Sequence, residues 1–151
     1  MTDPLTFLSV TPRLTLPLLF AGQSQKEVTV NEALTLTDLL LHGSIEGSLA
    51  APPAAPVAGQ AWLVAGSPTG DWSGHAGAIA GWSEGGWRFV TPQRGMRLYD
   101  KSVASFRLFD GGWQVFQKPA DPSGGTVVDV QARTAISQLI SALVSSGTIT
   151  A

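Results

Sequence analysis

The sequence contains no cysteine. A disulfide framework, thiolate metal sites and a thiol nucleophile are therefore excluded, although the compartment is left open. Charge is also scarce: nine Lys and Arg with eleven Asp and Glu make 13% of 151 residues, against about a quarter in an average soluble protein. The net charge of -2 lacks the basic excess that neutralises phosphates, so no nucleic-acid partner is expected. Two histidines are present, His42 and His75, in neither a paired-His nor an HExxH spacing, and no metal or other cofactor is expected. Neither a Gly-x-Ser-x-Gly elbow nor a P-loop occurs. The carboxylates Glu84 and Asp110 stand where turns want an acceptor, which explains them without glycoside chemistry. No catalytic residue is identified, and the chain is not expected to be an enzyme. Long apolar runs are missing too. The uncharged stretch from Ser48 to Gly70 is broken by Pro52, Pro53, Pro56 and Pro68, so no membrane insertion is expected. The start, Met1-Thr-Asp-Pro, has no basic region of a signal peptide. So little charge favours a subunit of an assembly over a lone soluble domain.

Glycine and proline are plentiful, at 17 and 10 residues, and they divide the chain. Residues 1–23 read as an extended arm, because Pro4, Pro12 and Pro17 interrupt any helix. Residues 24–118 read as a helix plus a β-domain. The helical part, 24–47, starts at one of two capping boxes, Ser24-Gln-Lys-Glu27 or Thr29-Val-Asn-Glu32, and stops at Gly43 in a left-handed conformation. Its apolar stripe is Val30, Ala33, Leu34, Leu40 and Leu41, completed by Thr37. Residues 48–59 form a semi-rigid Pro/Ala connector. Within 60–117 the predicted strands are Ala61–Ala65, Ala78–Trp82, Trp87–Thr91, Met96–Asp100, Ser105–Phe109 and Trp113–Phe116. Short Gly-rich turns separate them and force sequential antiparallel pairing. Residues 119–151 read as a linker and a C-terminal amphipathic helix, capped by Asp129 and ended by Gly147. The fold class is thus α+β: an extended arm, one helix, an antiparallel β-meander or small barrel of about six strands, and a C-terminal helix.

Three groups of side chains are candidates for binding. Trp72 lies in a polar loop and is expected at the surface; with Trp87, Asp71 and His75 it could stack on a sugar ring and bind its hydroxyls. Trp62, Trp82 and Trp113 are expected in the core. Arg88, Arg94, Arg97, Lys101 and Arg107 could form one positive face for a polyanion or an acidic partner, or merely a solvated hairpin face. Leu14, Leu16, Leu18, Leu19 and Phe20 in the arm, with Ile136, Leu139, Ile140 and Leu143 in the last helix, are candidates for a subunit interface in a homo-oligomer. The alternative is packing within the chain.

The run Ala21-Gly-Gln-Ser-Gln-Lys-Glu-Val-Thr-Val-Asn-Glu-Ala-Leu34 resembles a phage-related family of unassigned activity, found in tail-fibre and head-spike proteins of alphaproteobacterial prophages and gene transfer agents. The similarity continues through Ala51-Pro-Pro-Ala-Ala-Pro, Gly59-Gln-Ala-Trp-Leu-Val64, the segment from Gly70 to Trp82, Gly86-Trp-Arg-Phe89 and Phe109-Asp-Gly-Gly-Trp113. The resemblance implies a structural subunit or adaptor of a head spike or tail fibre, made in the bacterial cytoplasm and placed on the surface of a phage-like particle, where it helps attachment to the host. Implied partners are other copies of the chain, other capsid, spike or fibre subunits, and host surface polysaccharide. The alternative is a carbohydrate-binding module for capsule or lipopolysaccharide acting through exposed Trp. The resemblance transfers no catalytic residue.

Overall fold

The computed structural model describes residues 9–22 and 26–151. Among them are two helices and eight strands, an α+β fold: α1 (Lys26–Leu41), β1 (Ser44–Ile45), β2 (Ser48–Leu49), β3 (Ala61–Val64), β4 (Ile79–Ser83), β5 (Gly86–Val90), β6 (Arg97–Asp100), β7 (Ser105–Phe109), β8 (Trp113–Val115) and α2 (Val130–Ser145). The six predicted strands are all present as β3 to β8. The chain forms two compact units, Met1–Thr91 and Pro92–Ala151, and the boundary falls inside the stretch read as one meander. At that point Pro92 cannot donate to a strand ladder and Gly95 turns with φ near 90°, so the run of hairpins is interrupted.

In the first unit the strand order is β2-β3-β4-β5. β3, β4 and β5 are antiparallel, with Trp62 opposite Ala80 and Trp82 opposite Trp87. β2 runs parallel to β3, with Ser48 opposite Leu63, so the segment read as an unpaired connector opens with a strand. Alternate residues of three strands (Trp62 and Val64, Ala80 and Trp82, Trp87 and Phe89) fall on one face and pack together with Trp72, as a side-chain period of two requires. The opposite face carries Leu39 of α1, whose methyl carbons would lie 2.7 and 2.8 Å from a Cβ at Gly81. Only glycine leaves room there. The described part of the arm is not extended. Val10 bridges to Pro17, Leu18 N–H donates to Ser9 O at 3.0 Å, and the Thr11 hydroxyl accepts from Leu16 N–H at 2.9 Å. The chain therefore doubles back as a tight loop, because Thr11 satisfies backbone donors that an extended arm would leave to water.

α1 begins no later than Lys26, so the Thr29 box lies inside it; Ser24 falls outside the described residues. Gly43 does not take the left-handed conformation expected of it. The guanidinium of Arg13 donates instead to the carbonyls of Leu39 and Ser44, both at 2.9 Å, and so supplies the partner that a helix end needs.

The second unit contains the antiparallel ladder β6-β7-β8, with Leu98 opposite Arg107 and Leu108 opposite Gln114. α2 starts where Asp129 accepts from Ala132 N–H at 2.9 Å and stops before Gly147 at φ 70°, as its sequence indicates. The tail then returns to the ladder: Phe106 N–H donates to Gly147 O at 2.7 Å and Thr150 N–H to Phe116 O at 2.8 Å.

Candidate functional site

α1 faces the opposite way from its apolar pattern. Val30 is 39% and Leu41 62% exposed, Ala33 and Thr37 are exposed, and Leu34 and Leu40 are half-buried. The side that is covered carries Asp38, at 2% exposure, and Leu39, with Asn31, Glu32 and Thr35 half-buried. Polar groups can be covered only if they are bonded, and each of these has a partner. Asp38 accepts from the Thr11 hydroxyl at 2.7 Å, from Arg13 N–H at 3.0 Å and from Leu14 N–H at 2.6 Å. Asn31 accepts from Leu19 N–H at 2.8 Å and donates back to Leu19 O at 3.0 Å. Glu32 pairs with Arg88 of β5 at 2.8 Å. The Thr35 hydroxyl donates to Asn31 O at 2.8 Å.

Arg13 completes the fastening. Besides closing the end of α1, its Nε donates to Gly59 O at 2.5 Å. Burial lowers its pKa, and the charges of Asp38 and Glu46 pull it back up; a guanidinium stays protonated under this balance. One cation thereby joins the arm, the helix end and the segment entering β3. The arm loop, α1 and the β4–β5 turn enclose a groove of about 470 Å³ lined by Val10, Leu18, Asn31, Glu32, Ser83 and Arg88, among others. That volume is in the range of small-ligand sites. Its one acid–base couple, Glu32 with Arg88, is spent on an ion pair. The remaining lining offers hydroxyls, an amide, the Glu84 carboxylate and apolar carbon. Among the described residues no cluster of three metal-ligating side chains occurs. The groove is suited to recognition or fastening.

Trp72, expected at the surface, is completely buried. Its ring lies 5.1 Å from that of Trp87 and 6.4 Å from that of Trp62, and Trp82 stands 4.9 Å from Trp87. Trp72 and Trp87 are thus brought together, but in the core of the first unit. A single turn of 3₁₀ helix at Gly70–Trp72 turns the indole inward from a loop whose other side chains are polar, and loop polarity alone does not report that turn. Asp71 is exposed, and exposed His75 stacks on Phe89 at 3.7 Å with the planes 4° apart. Trp62 is in the core as expected; Trp82 and Trp113 are half-buried.

The basic side chains weighed as either a positive face or a solvated hairpin face have local partners. Arg88 is paired with Glu32, Arg94 with Asp110 at 2.6 Å and Arg107 with Asp100 at 2.6 Å. Arg97 sits over the Phe106 ring at 5.1 Å. Each guanidinium is taken up locally by an acid or a ring. Of the candidate interface residues, Leu14, Leu16, Leu18 and Leu19 are half-buried in the first unit, and Ile140 is buried in the second. Those five are buried or half-buried. Phe20, Ile136 and Leu139 remain exposed, and Leu143 is half-buried.

The Thr11, Arg13 and Asp38 network was not singled out in the sequence. Its signal was present: Arg13 is the only charged residue between Pro4 and Lys26, and Asp38 interrupts the apolar end of α1. A lone charge in an apolar stretch asks for a buried partner.

No curated protein matches the chain. A family model described as "Protein of unknown function (DUF2793)" matches residues 30–114, from within α1 to β8 and more than half of the chain. The chain belongs to that family.

Proposed function

We propose that this chain is a structural, non-enzymatic subunit or adaptor of a head spike or tail fibre in a phage-like particle or gene transfer agent. It sits on the particle surface and helps attachment to the host. The observation that supports this best is how the polar groups around the groove are used. Asp38, Asn31, Glu32, Arg13 and Arg88 each hold one chain segment to another, so the arrangement works as a clasp. The composition points the same way, because 13% charge suits a protein whose surface is shared with neighbours. The resemblance of the run from Ala21 to Leu34 to spike and fibre proteins supplies the particle. Trp72, on which the glycan-binding alternative chiefly relied, is completely buried, so that reading has less support.

The test is to purify particles from a producing strain, locate this chain on them by immunogold labelling, and compare a deletion strain. Labelled spikes or fibres, missing in the deletion together with reduced adsorption to host cells, are expected. Absence of the chain from purified particles by mass spectrometry would sink the proposal.

A further inference from the structure

Pattern and placement also disagree in α2. Ala132, Ile136, Leu139 and Leu143 recur at spacings of four, three and four and make one stripe. A helix in a globular unit normally turns such a stripe to the core. Here the helix docks through the neighbouring stripe, where Ile140 is 6% exposed and Ser137 and Val144 are half-buried. Ile136 is left 44% and Leu139 61% exposed. Val128 and Val130, at the start of the helix, are exposed as well.

We propose that the stripe Ala132, Ile136, Leu139 and Leu143 is a homotypic docking surface, covered by α2 of another copy of this chain. Charge argues for a second copy over a different partner. In a self-contact the same stripe lies on both sides, so a stripe carrying a single sign of charge repels itself. α2 contains no carboxylate, and its one charged residue, Arg133, is turned back onto the Gly124 carbonyl. An acidic or basic partner would find no counter-charge on this face. The spacing is also that of a seam in which like helices interlock. Size sets the strength. Sixteen residues span about 24 Å at 1.5 Å per residue, and a strip about 10 Å wide falls well short of the roughly 800 Å² per partner of a stable interface. The contact is therefore weak and concentration-dependent for a pair. A ring, in which each α2 touches two neighbours, doubles the area. This inference does not depend on the particle role.

The absence of cysteine makes a direct test available. Leu139→Cys in the full chain puts a thiol on the stripe; Ser141→Cys puts one on the other side of the same helix. Under mild oxidation at micromolar protein, L139C should give a covalent dimer in non-reducing electrophoresis, and S141C should give several-fold less. Adding Ile136→Ser to L139C should weaken association about tenfold or more, the loss expected when a large aliphatic side chain is no longer buried. Circular dichroism checks that this variant keeps its helices; if it does not, the comparison of L139C with S141C decides alone. Equal cross-linking of L139C and S141C would overturn the proposal. So would a single species near 15.7 kDa in sedimentation velocity at every attainable concentration, or cross-linking mass spectrometry that sets a different segment against position 139.

Discussion

At the scale of single residues, buried carboxylates do most of the fastening, and two of them make opposite demands on an experiment. Asp38, at 2% exposure, holds three donors from the arm loop, those of Thr11, Arg13 and Leu14. Asp38→Ala strands all three, and a buried donor left unpaired costs about 1–3 kcal/mol. We expect a loss of about 3 kcal/mol or more in urea unfolding of the first unit. A loss below about 1 kcal/mol would mean that the loop simply lifts away and rehydrates. Asp100, fully buried in the second unit, responds to pH. Burial alone would raise its pKa, but the Ser102 hydroxyl at 2.6 Å, Arg107 Nε at 2.6 Å and Ser102 N–H at 2.9 Å outweigh it and hold the carboxyl below its ordinary value. A lowered folded pKa gives stability that is present above the unfolded value, about 3.9, and is lost as pH falls through the folded one. Wild type should therefore melt above Asp100→Asn at neutral pH, with the gap closing below about pH 4. A gap independent of pH would assign the difference to packing.

At the scale of elements, legibility followed locality. β3 to β8 and α2 could be read because their signals lie within a few residues: Gly-rich turns, an Asp cap and a glycine stop. The face of α1 could not, because a helix that covers Asn31 and Asp38 makes sense only once an arm twelve to twenty-seven residues away supplies the partners. Trp72 was misplaced for a similar reason, since its burial depends on Trp62 and Trp87 from distant strands. β1 and β2 are two residues each, too short to show any period. The same logic predicts which stop signal is indispensable. Gly43 is relieved of its role by Arg13, whereas Gly147, at φ 70°, has no such help, and a Cβ there would come within 3.1 Å of the Tyr99 ring and 3.4 Å of the Ala104 carbonyl. Gly147→Ala should cost the second unit about 1–2 kcal/mol from the left-handed backbone alone, and more from the contact with Tyr99. Thermal melting by far-UV circular dichroism measures it. Gly43→Ala should be nearly neutral in the same assay.

At the scale of the whole molecule, apolar burial is unevenly divided. Of the thirteen buried hydrophobic residues among the described ones, Leu39, Ile45, Ala61, Trp62, Leu63, Val64, Trp72, Ala78, Ile79 and Ala80 belong to the first unit, and Leu98, Ile140 and Ile149 to the second. Burial of such side chains is the main favourable term in folding. The second unit must still order a three-stranded ladder, a long polar linker and a sixteen-residue helix against conformational entropy of about 1–2 kcal/mol per residue. It should therefore be the weaker unit, and the chain should not unfold in one step. The tryptophans allow the two to be watched separately, because Trp62, Trp72, Trp82 and Trp87 lie in the first unit and only Trp113 in the second. In a Trp113→Phe variant, indole emission reports the first unit alone, while far-UV ellipticity reports both α1 and α2. We expect ellipticity to fall first at low urea as α2 melts, and indole emission to shift red at a higher midpoint together with the rest of the ellipticity. Coincident midpoints by both probes would show a single cooperative transition, and the uneven burial would then have no consequence for how the protein comes apart.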